Sequence, residues 1–267
     1  MDTKRLDILL TELGFAETRS KAQALIKSGA VFVSGKKADK PSALYDMDAE
    51  IEIRGDYCPY VSRGGLKLEK ALRDFGVDPT GFVCSDSGAS TGGFTDCLLQ
   101  QGAQKVYAID VGTDQLVDKI RHDPRVVVME QTNIRYVTPE DIGEALDLSV
   151  VDVSFISLKL VLPAIKALLK PENGQVLCLI KPQFEAGKEN LGKKGVVRDP
   201  AVHKQVLDSF IEFTHNLGFT ILGLTFSPVR GPEGNIEFLG HLTLRDCSGI
   251  VPDTAKLVRE AHNALKV

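Results

Sequence analysis

From Gly81 onward, short apolar runs of strand length alternate with segments of helical period, a rhythm that dictates a mostly parallel sheet with helices packed on its faces. The strand-like runs are Phe82–Asp86, Lys105–Val111, Arg125–Met129, Leu146–Val153 and Gln175–Lys181. Two further runs, Phe219–Phe226 and Ile236–Leu244, read as closing strands, and Asp253–Leu265 reads as a final helix. The expected fold class is therefore α/β with a Rossmann-like sheet. In such sheets ligands gather at the carboxyl ends of the strands, so residues at those ends are the ones to examine for chemistry.

The first part of the chain follows a different pattern. Leu6, Leu9, Leu10 and Leu13 recur at helical spacing and Gly14 follows as a stop. A second helix is expected from a cap at Thr18 or Ser20, with Ala22, Leu25 and Ile26 on one face and an end at Gly29. Val31 and Val33 then alternate with polar neighbours, Ser34-Gly35-Lys36 forms a turn, and Ile51 and Ile53 alternate again. This predicts a small α+β domain over 1–55, a linker over 56–61 that contains Pro59, and a larger domain over 62–267, opened by a helix bearing Leu68, Ala71, Leu72 and Phe75.

Composition excludes several classes. Hydrophobic residues at 43% and charged residues at 25% fit neither a disordered nor a fibrous chain. The net charge of -4 argues against a uniformly basic coat for nucleic acid, yet residues 1–40 carry eight basic side chains against five acidic ones, a local +3. The most apolar stretch, Leu146–Leu169, is interrupted by Asp147, Asp152, Lys159 and Lys166, so no membrane span is expected. Five cysteines without a CxxC pair, and no secretory signal at the front, point to reduced thiols in a cytoplasmic protein.

The first strand of the larger domain runs into Asp86-Ser87-Gly88-Ala89-Ser90-Thr91-Gly92-Gly93-Phe94-Thr95, ahead of a helix. Glycines there allow a tight turn and close approach to a ligand, while the helix start offers unsatisfied N–H groups. Asp110 ends the next strand about 20 residues downstream, where a carboxylate can accept both ribose hydroxyls of a nucleoside. The turn has neither dinucleotide nor Walker spacing and no phosphate-holding lysine. A nucleoside cofactor lacking a pyrophosphate fits, and S-adenosylmethionine is the common one. Its methionine part would lie over Gly88 to Gly93, and its ribose against Asp110. Glu130 and Asn133, after the third strand, are candidates for the adenine side, with ordinary loop polarity as the competing explanation.

Asp152 and Lys181 fall at the ends of the fourth and fifth strands, which makes them neighbours over that cofactor. Lys181 emerges from the apolar Val176-Leu177-Cys178-Leu179-Ile180 and can act as a base. Glu237 enters the last strand inside an apolar pattern, where a lone carboxylate is costly without a cation. Lys67, in the helix before the first strand, is a source of positive charge, with Lys70 competing for the role.

Two resemblances sharpen these readings. The order helix, helix, hairpin, with a polar entry to the second helix and Val31-Phe32-Val33-Ser34-Gly35-Lys36 after it, resembles the S4 RNA-binding domain of ribosomal proteins, pseudouridine synthases and tyrosyl-tRNA synthetases. That likeness implies that Arg5, Arg19, Ser20, Lys21 and Lys27 face RNA and contact phosphates; a solvated helix face is the alternative. The segments SRGGLKLEKAL, DSGASTGGFTD, YAIDVG, VVDVSFISL, LIKPQFEAG and GNIEFL, in order, resemble the hemolysin A (TlyA) family of ribosomal RNA 2'-O-methyltransferases, whose catalytic domain is similar to the FtsJ/RrmJ methyltransferases. This implies a Lys-Asp-Lys-Glu tetrad at Lys67, Asp152, Lys181 and Glu237, no metal, ribosomal RNA or a ribosomal subunit as partner, and cytidine as the nucleotide. Family members often carry an Arg-x-Trp-Val connector where this chain has Cys58-Pro59-Tyr60-Val61.

Three other readings compete. A methyltransferase for a small molecule or protein has no use for an RNA-binding domain. A membrane-active haemolysin needs an amphipathic membrane segment, and none is evident. A noncatalytic RNA-binding factor has no need of all four tetrad positions. Oligomeric state stays open.

Overall fold

The computed structural model describes residues 3–16, 18–54, 58–192 and 195–265. Contacts divide the chain into two compact units, Met1–Pro59 and Tyr60–Val267. The expected end of the first domain at Gly55, and linker residues 56 and 57, lie outside the described residues.

In the first unit the chain runs β1 (Thr3–Arg5), α1 (Leu6–Glu12), α2 (Arg19–Lys27), β2 (Val31–Val33), β3 (Lys36–Lys37), β4 (Leu44–Asp46) and β5 (Ile51–Ile53). Thr18 is the cap of α2, its side chain accepting from the Lys21 N–H at 3.2 Å. The predicted apolar faces meet: Leu6, Leu10, Ala22, Leu25, Ile26, Val31 and Val33 form one buried cluster. The hairpin β2–β3 and strand β5 form a three-stranded antiparallel sheet, with Val31 opposite Ile53. The sequence pattern missed the pairing of β1 with β4, because three-residue strands carry too little alternation to read.

The second unit runs α3 (Gly64–Phe75), β6 (Val83–Ser87), α4 (Gly93–Gln100), β7 (Lys105–Ile109), α5 (Asp118–Arg121), β8 (Val126–Met129), α6 (Pro139–Ile142), β9 (Leu148–Val151), α7 (Leu158–Leu168), β10 (Gln175–Ile180), α8 (Pro182–Glu185), α9 (Pro200–Asn216), β11 (Thr220–Phe226), β12 (Phe238–Thr243) and α10 (Thr254–Leu265). Seven strands form one sheet in the order β11-β12-β10-β9-β6-β7-β8, with β12 antiparallel to both neighbours and the other pairings parallel. All four residues of β9 are buried, as a parallel strand covered on both faces requires. The apolar stretch from Leu146 is divided between β9 and α7, and among the described residues no helix is long and apolar enough to cross a membrane. The chain order of β6 and β9 reverses in the sheet: β7 and β8 extend to one side of β6, β9 and β10 to the other. Ligands bind at such a switch point, and the Gly-rich turn leaves β6 there.

Candidate active site

The turn after β6 is shaped by close backbone approach. Gly88 has φ of +90°, and a Cβ built on it would stand 2.5 Å from the carbonyl oxygen of Asp152. The two strand ends are joined there by the Asp152 N–H, which donates to Ser87 O at 2.9 Å. A glycine at Gly88 is therefore required for both reasons, conformation and space. The beginning of α3 crowds in from another side, since a Cβ on Gly93 would collide with Ser62 Oγ.

Asp86 and Ser87 do not reach the cavities beside this turn. Asp86 is fully buried and its Oδ2 accepts from Thr95 N and Thr95 Oγ1, at 2.9 and 2.7 Å, so it braces the start of α4 from beneath. Burial pushes its carboxyl up to about 7, with the nearby charge of Asp152 adding to the effect. Of the expected cofactor residues in the turn, Gly88, Ala89, Ser90, Thr91, Gly93 and Phe94 line a cavity of about 280 Å³, together with Ser62, Arg63, Lys67, Asp152 and Arg230. Gly92 faces away and packs against Leu116 and Ile120.

Asp110 follows β7 and is fixed by two backbone donors, Ser90 N to Oδ2 at 2.8 Å and Gly112 N to Oδ1 at 2.7 Å. It lines a second cavity of about 470 Å³ with Gly88, Ser90, Gln115, Asn133, Ile134 and Phe155. Asn133, expected on the adenine side, lines this same cavity. Glu130 does not: its carboxylate accepts from the backbone N–H groups of Asp114 and Gln115, both at 3.0 Å, and pairs with Arg121 at 2.7 Å. Partial burial alone would push Glu130 up, but Arg121 and the backbone donors outweigh it and hold the carboxyl at about 2. Its structural task is to shape the loop that follows Asp110, and it lines neither cavity.

The four tetrad positions come together. Lys67 Nζ contacts Glu237 Oε2 at 2.6 Å, and Lys181 Nζ contacts Asp152 Oδ1 at 2.6 Å. Lys67, Lys181 and Glu237 are buried, and all four line a third cavity of about 450 Å³ that shares Gly88, Ser90 and Asp152 with the other two. These four side chains come from α3 and from the ends of β9, β10 and the segment entering β12, so only the folded sheet unites them. Lys70 is excluded from the role. Its ammonium pairs with Asp74 and donates to Thr225 Oγ1 at 2.8 Å, outside the cavities.

Sequence reasoning missed several lining residues. Ser154 Oγ accepts from Lys181 Nζ at 2.8 Å, giving the lysine a second fixed partner. Phe155 is 91% exposed with φ of +64°, and its ring lies 5.3 Å from that of Phe184. Non-glycine residues rarely hold that conformation, and both rings line the third cavity. The signal was present in the sequence as the pair of aromatics three residues after each strand-end residue of the tetrad, Asp152 and Lys181. The connector's second half docks onto this unit: Tyr60 Oη donates to Glu69 Oε1 at 2.8 Å, and the Val61 N–H donates to Asp96 Oδ2 at 3.0 Å.

In the first unit, Arg5 and Arg19 both contact Asp7, Ser20 and Lys27 are exposed, and Lys21 is half-buried. Among the described residues no group of three His, Cys, Asp or Glu side chains is gathered to hold a metal.

Comparison with known proteins follows the same division. The model of the FtsJ-like methyltransferase family matches residues 60–244, and that of the S4 domain matches residues 4–51. A Bacillus subtilis protein provisionally named rRNA methyltransferase YqxC is 52% identical over 240 residues, 90% of this chain and 85% of that protein. The 16S/23S rRNA (cytidine-2'-O)-methyltransferase TlyA of Mycobacterium tuberculosis is 43% identical over 235 residues, 88% of this chain and 87% of the relative. A solved structure from Streptococcus thermophilus, provisionally named a hemolysin, is 46% identical with a TM-score of 0.77, covering 100% of this chain and 98% of the other.

Proposed function

The chain belongs to the FtsJ-like methyltransferase family and carries an S4 domain in front of that enzyme fold, and on this premise we propose that it transfers a methyl group from S-adenosylmethionine to the 2'-hydroxyl of a cytidine in ribosomal RNA. The observation that supports the reading most strongly is the meeting of two short ion pairs, Lys67 with Glu237 and Lys181 with Asp152, over a glycine turn whose ribose-binding carboxylate is already oriented. The cytidine is taken from the name of the Mycobacterium tuberculosis relative.

The residues present suit S-adenosylmethionine. Asp86, Asp110 and Asp152 surround one turn, and the charges of Asp152 and Asp110 both push the Asp86 carboxyl up, so this corner favours a cation such as a sulfonium. Gly88 leaves its backbone bare where a ligand must come close, and Asp110 and Asn133 line the cavity on the nucleoside side. When bound, S-adenosylmethionine supplies an electrophilic methyl group on a positively charged sulfur.

The protein's part is to place and activate the acceptor. A ribose hydroxyl ionises far above neutrality, so a positioned group must take its proton or stabilise its developing charge. Lys181 fills this role, its Nζ fixed by Asp152 and Ser154 and facing the cavity that all three share. Lys67, oriented by Glu237, adds positive charge beside the acceptor oxygen. Rigid placement of both lysines keeps the oxygen in line with the methyl carbon, from which much of the acceleration arises. Residues 1–55 supply RNA affinity, and the protein works in the cytoplasm on ribosomal RNA or a ribosomal subunit.

The test is direct. The protein is incubated with methyl-labelled S-adenosylmethionine and ribosomal RNA from cells lacking it, and the RNA is digested to nucleosides. Label in 2'-O-methylcytidine is expected. Label confined to a base, or none in RNA while the protein binds the cofactor, would overturn the assignment.

A further inference from the structure

Asp7 lies within the first turn of α1 and its side chain is entirely buried, yet it is surrounded by donors from three side chains. Arg5 grips it side-on, Nε to Oδ1 and Nη2 to Oδ2, both at 3.0 Å. Arg19, from the start of α2, donates Nε to Oδ2 at 2.9 Å, and Gln23, one turn further along, donates Nε2 to the same oxygen at 2.8 Å. The hydrogen bond from Arg5, joined by those of Arg19 and Gln23, holds the Asp7 carboxyl well below the usual carboxylate range despite its burial. It is therefore a permanent anion at neutral pH.

Replacing a buried ion pair by apolar side chains is often neutral or stabilising, so stability alone is a weak reason to keep one. The arrangement does something else: it ties two arginines, fourteen positions apart in sequence, to one carboxylate oxygen and so fixes them side by side. Their outer parts remain in solvent, with side-chain exposures of 37% for Arg5 and 54% for Arg19. A guanidinium has five N–H groups. Arg5 directs two of them at Asp7 and Arg19 one, which leaves three and four not engaged by Asp7, and those in the solvent-exposed part can meet an outside acceptor.

We propose that Asp7 is a positioning residue for RNA: it pre-sets the Arg5 and Arg19 guanidiniums as a rigid pair that receives the phosphate backbone. The inference rests on the reading that Arg5 and Arg19 face RNA. Two long side chains held in advance lose less freedom on binding, which strengthens the complex. Counting charge alone gives the opposite expectation, because Asp7 cancels one of the two cations and its removal should tighten binding to a polyanion. The two ideas therefore differ in sign.

The full-length protein is tested as wild type, Asp7→Asn, Arg5→Ala/Arg19→Ala, and the triple variant, measuring affinity for purified ribosomal RNA across a salt series and KM and kcat for methyl transfer. The double-alanine variant should bind weakly and with a shallower dependence on salt; if it binds like wild type, the RNA-facing reading itself fails. Asp7→Asn should weaken binding on the order of tenfold, raising KM while kcat at saturating RNA holds, and should have no further effect once both arginines are gone. That disappearance is what a merely structural role lacks. Binding as tight as wild type or tighter in Asp7→Asn, or the same loss with and without the arginines, would overturn the proposal. Should Asp7→Asn fail to fold by circular dichroism, Gln23→Ala decides, because it loosens the carboxylate without changing charge: roughly two- to threefold weaker binding is expected, and unchanged affinity refutes the idea.

Discussion

Gly88→Ala is the substitution whose consequence can be worked most fully from geometry. The new methyl would sit 2.5 Å from the Asp152 carbonyl oxygen, 2.9 Å from its carbon and 3.2 Å from Val153 Cα, all of them backbone atoms that no side-chain rotation can clear. Relief requires the end of β9 and the turn to separate by about 1–1.5 Å, the gap between this contact and an ordinary van der Waals distance. Holding a non-glycine residue at φ of +90° costs about 1–2 kcal/mol more. Together with overpacking of about 1–3 kcal/mol, the loss is roughly 2–5 kcal/mol, or about 5–15 °C in Tm for a domain of this size. Function suffers separately, because the displaced residue carries the carboxylate that holds Lys181. A shift of about 1 Å at a reacting group costs on the order of 100-fold in rate. Gly143→Ala is the control, since Gly143 has φ of +77° but nothing within 4 Å of its would-be Cβ. It should show the conformational cost with full activity. Melting curves and methyl-transfer rates on both variants check the reasoning, and Gly88→Ala behaving like Gly143→Ala in both would refute it.

Two further perturbations test the cofactor corner. Asp86 is pushed up from 3.8 to about 7, so its contribution to stability is complete below its ordinary value and is lost as pH rises through about 7. Asp86→Asn removes that loss: in the cofactor-free protein the variant should gain on wild type between pH 4 and 7, by a few kcal/mol at roughly 1.4 kcal/mol per unit, and denaturant titrations showing a pH-independent difference would contradict it. Asp110→Ala should weaken S-adenosylmethionine binding by at least about tenfold, the loss of a charge-assisted hydrogen bond to ribose, while leaving RNA affinity unchanged; calorimetry with equal cofactor affinities would remove Asp110 from the site.

Much of this was readable from residues alone. Val83, Val106, Val150 and Val176 sit in strand-length runs bounded by turns, so the parallel strands could be placed to within two residues, and Leu6, Leu10, Leu25 and Ile26 foretold the small core of the first unit. Strand order was not legible, because periodicity says which residues form a strand and nothing about its neighbour. The same gap hid the reversed direction of β12, which places Glu237 opposite Lys67 instead of at the far edge. Asp152 and Lys181 could be paired because both end parallel strands, and the sheet rule gives such ends a common edge. Glu130 shows the limit: an acidic residue after a strand looks the same whether it faces a ligand or a loop, and only the backbone donors of 114–116 decide. Ser154 was passed over because a small hydroxyl carries no local pattern of its own, and Phe155 because its spacing from Asp152, the same as that of Phe184 from Lys181, gains meaning only once both aromatics are seen to line one cavity.

Whether Lys181 activates the acceptor oxygen is decided by single-turnover methyl transfer with Lys181→Ala and Lys181→Arg, alongside calorimetry of cofactor binding. The alanine variant should lose transfer while keeping S-adenosylmethionine affinity nearly intact. Arginine keeps the charge but does not readily give up a proton, and its planar fork cannot present donors as an ammonium does; it should lose transfer as well. Substantial transfer by Lys181→Arg would contradict the assignment, as would loss of cofactor affinity along with activity in both variants, which would make Lys181 a structural residue.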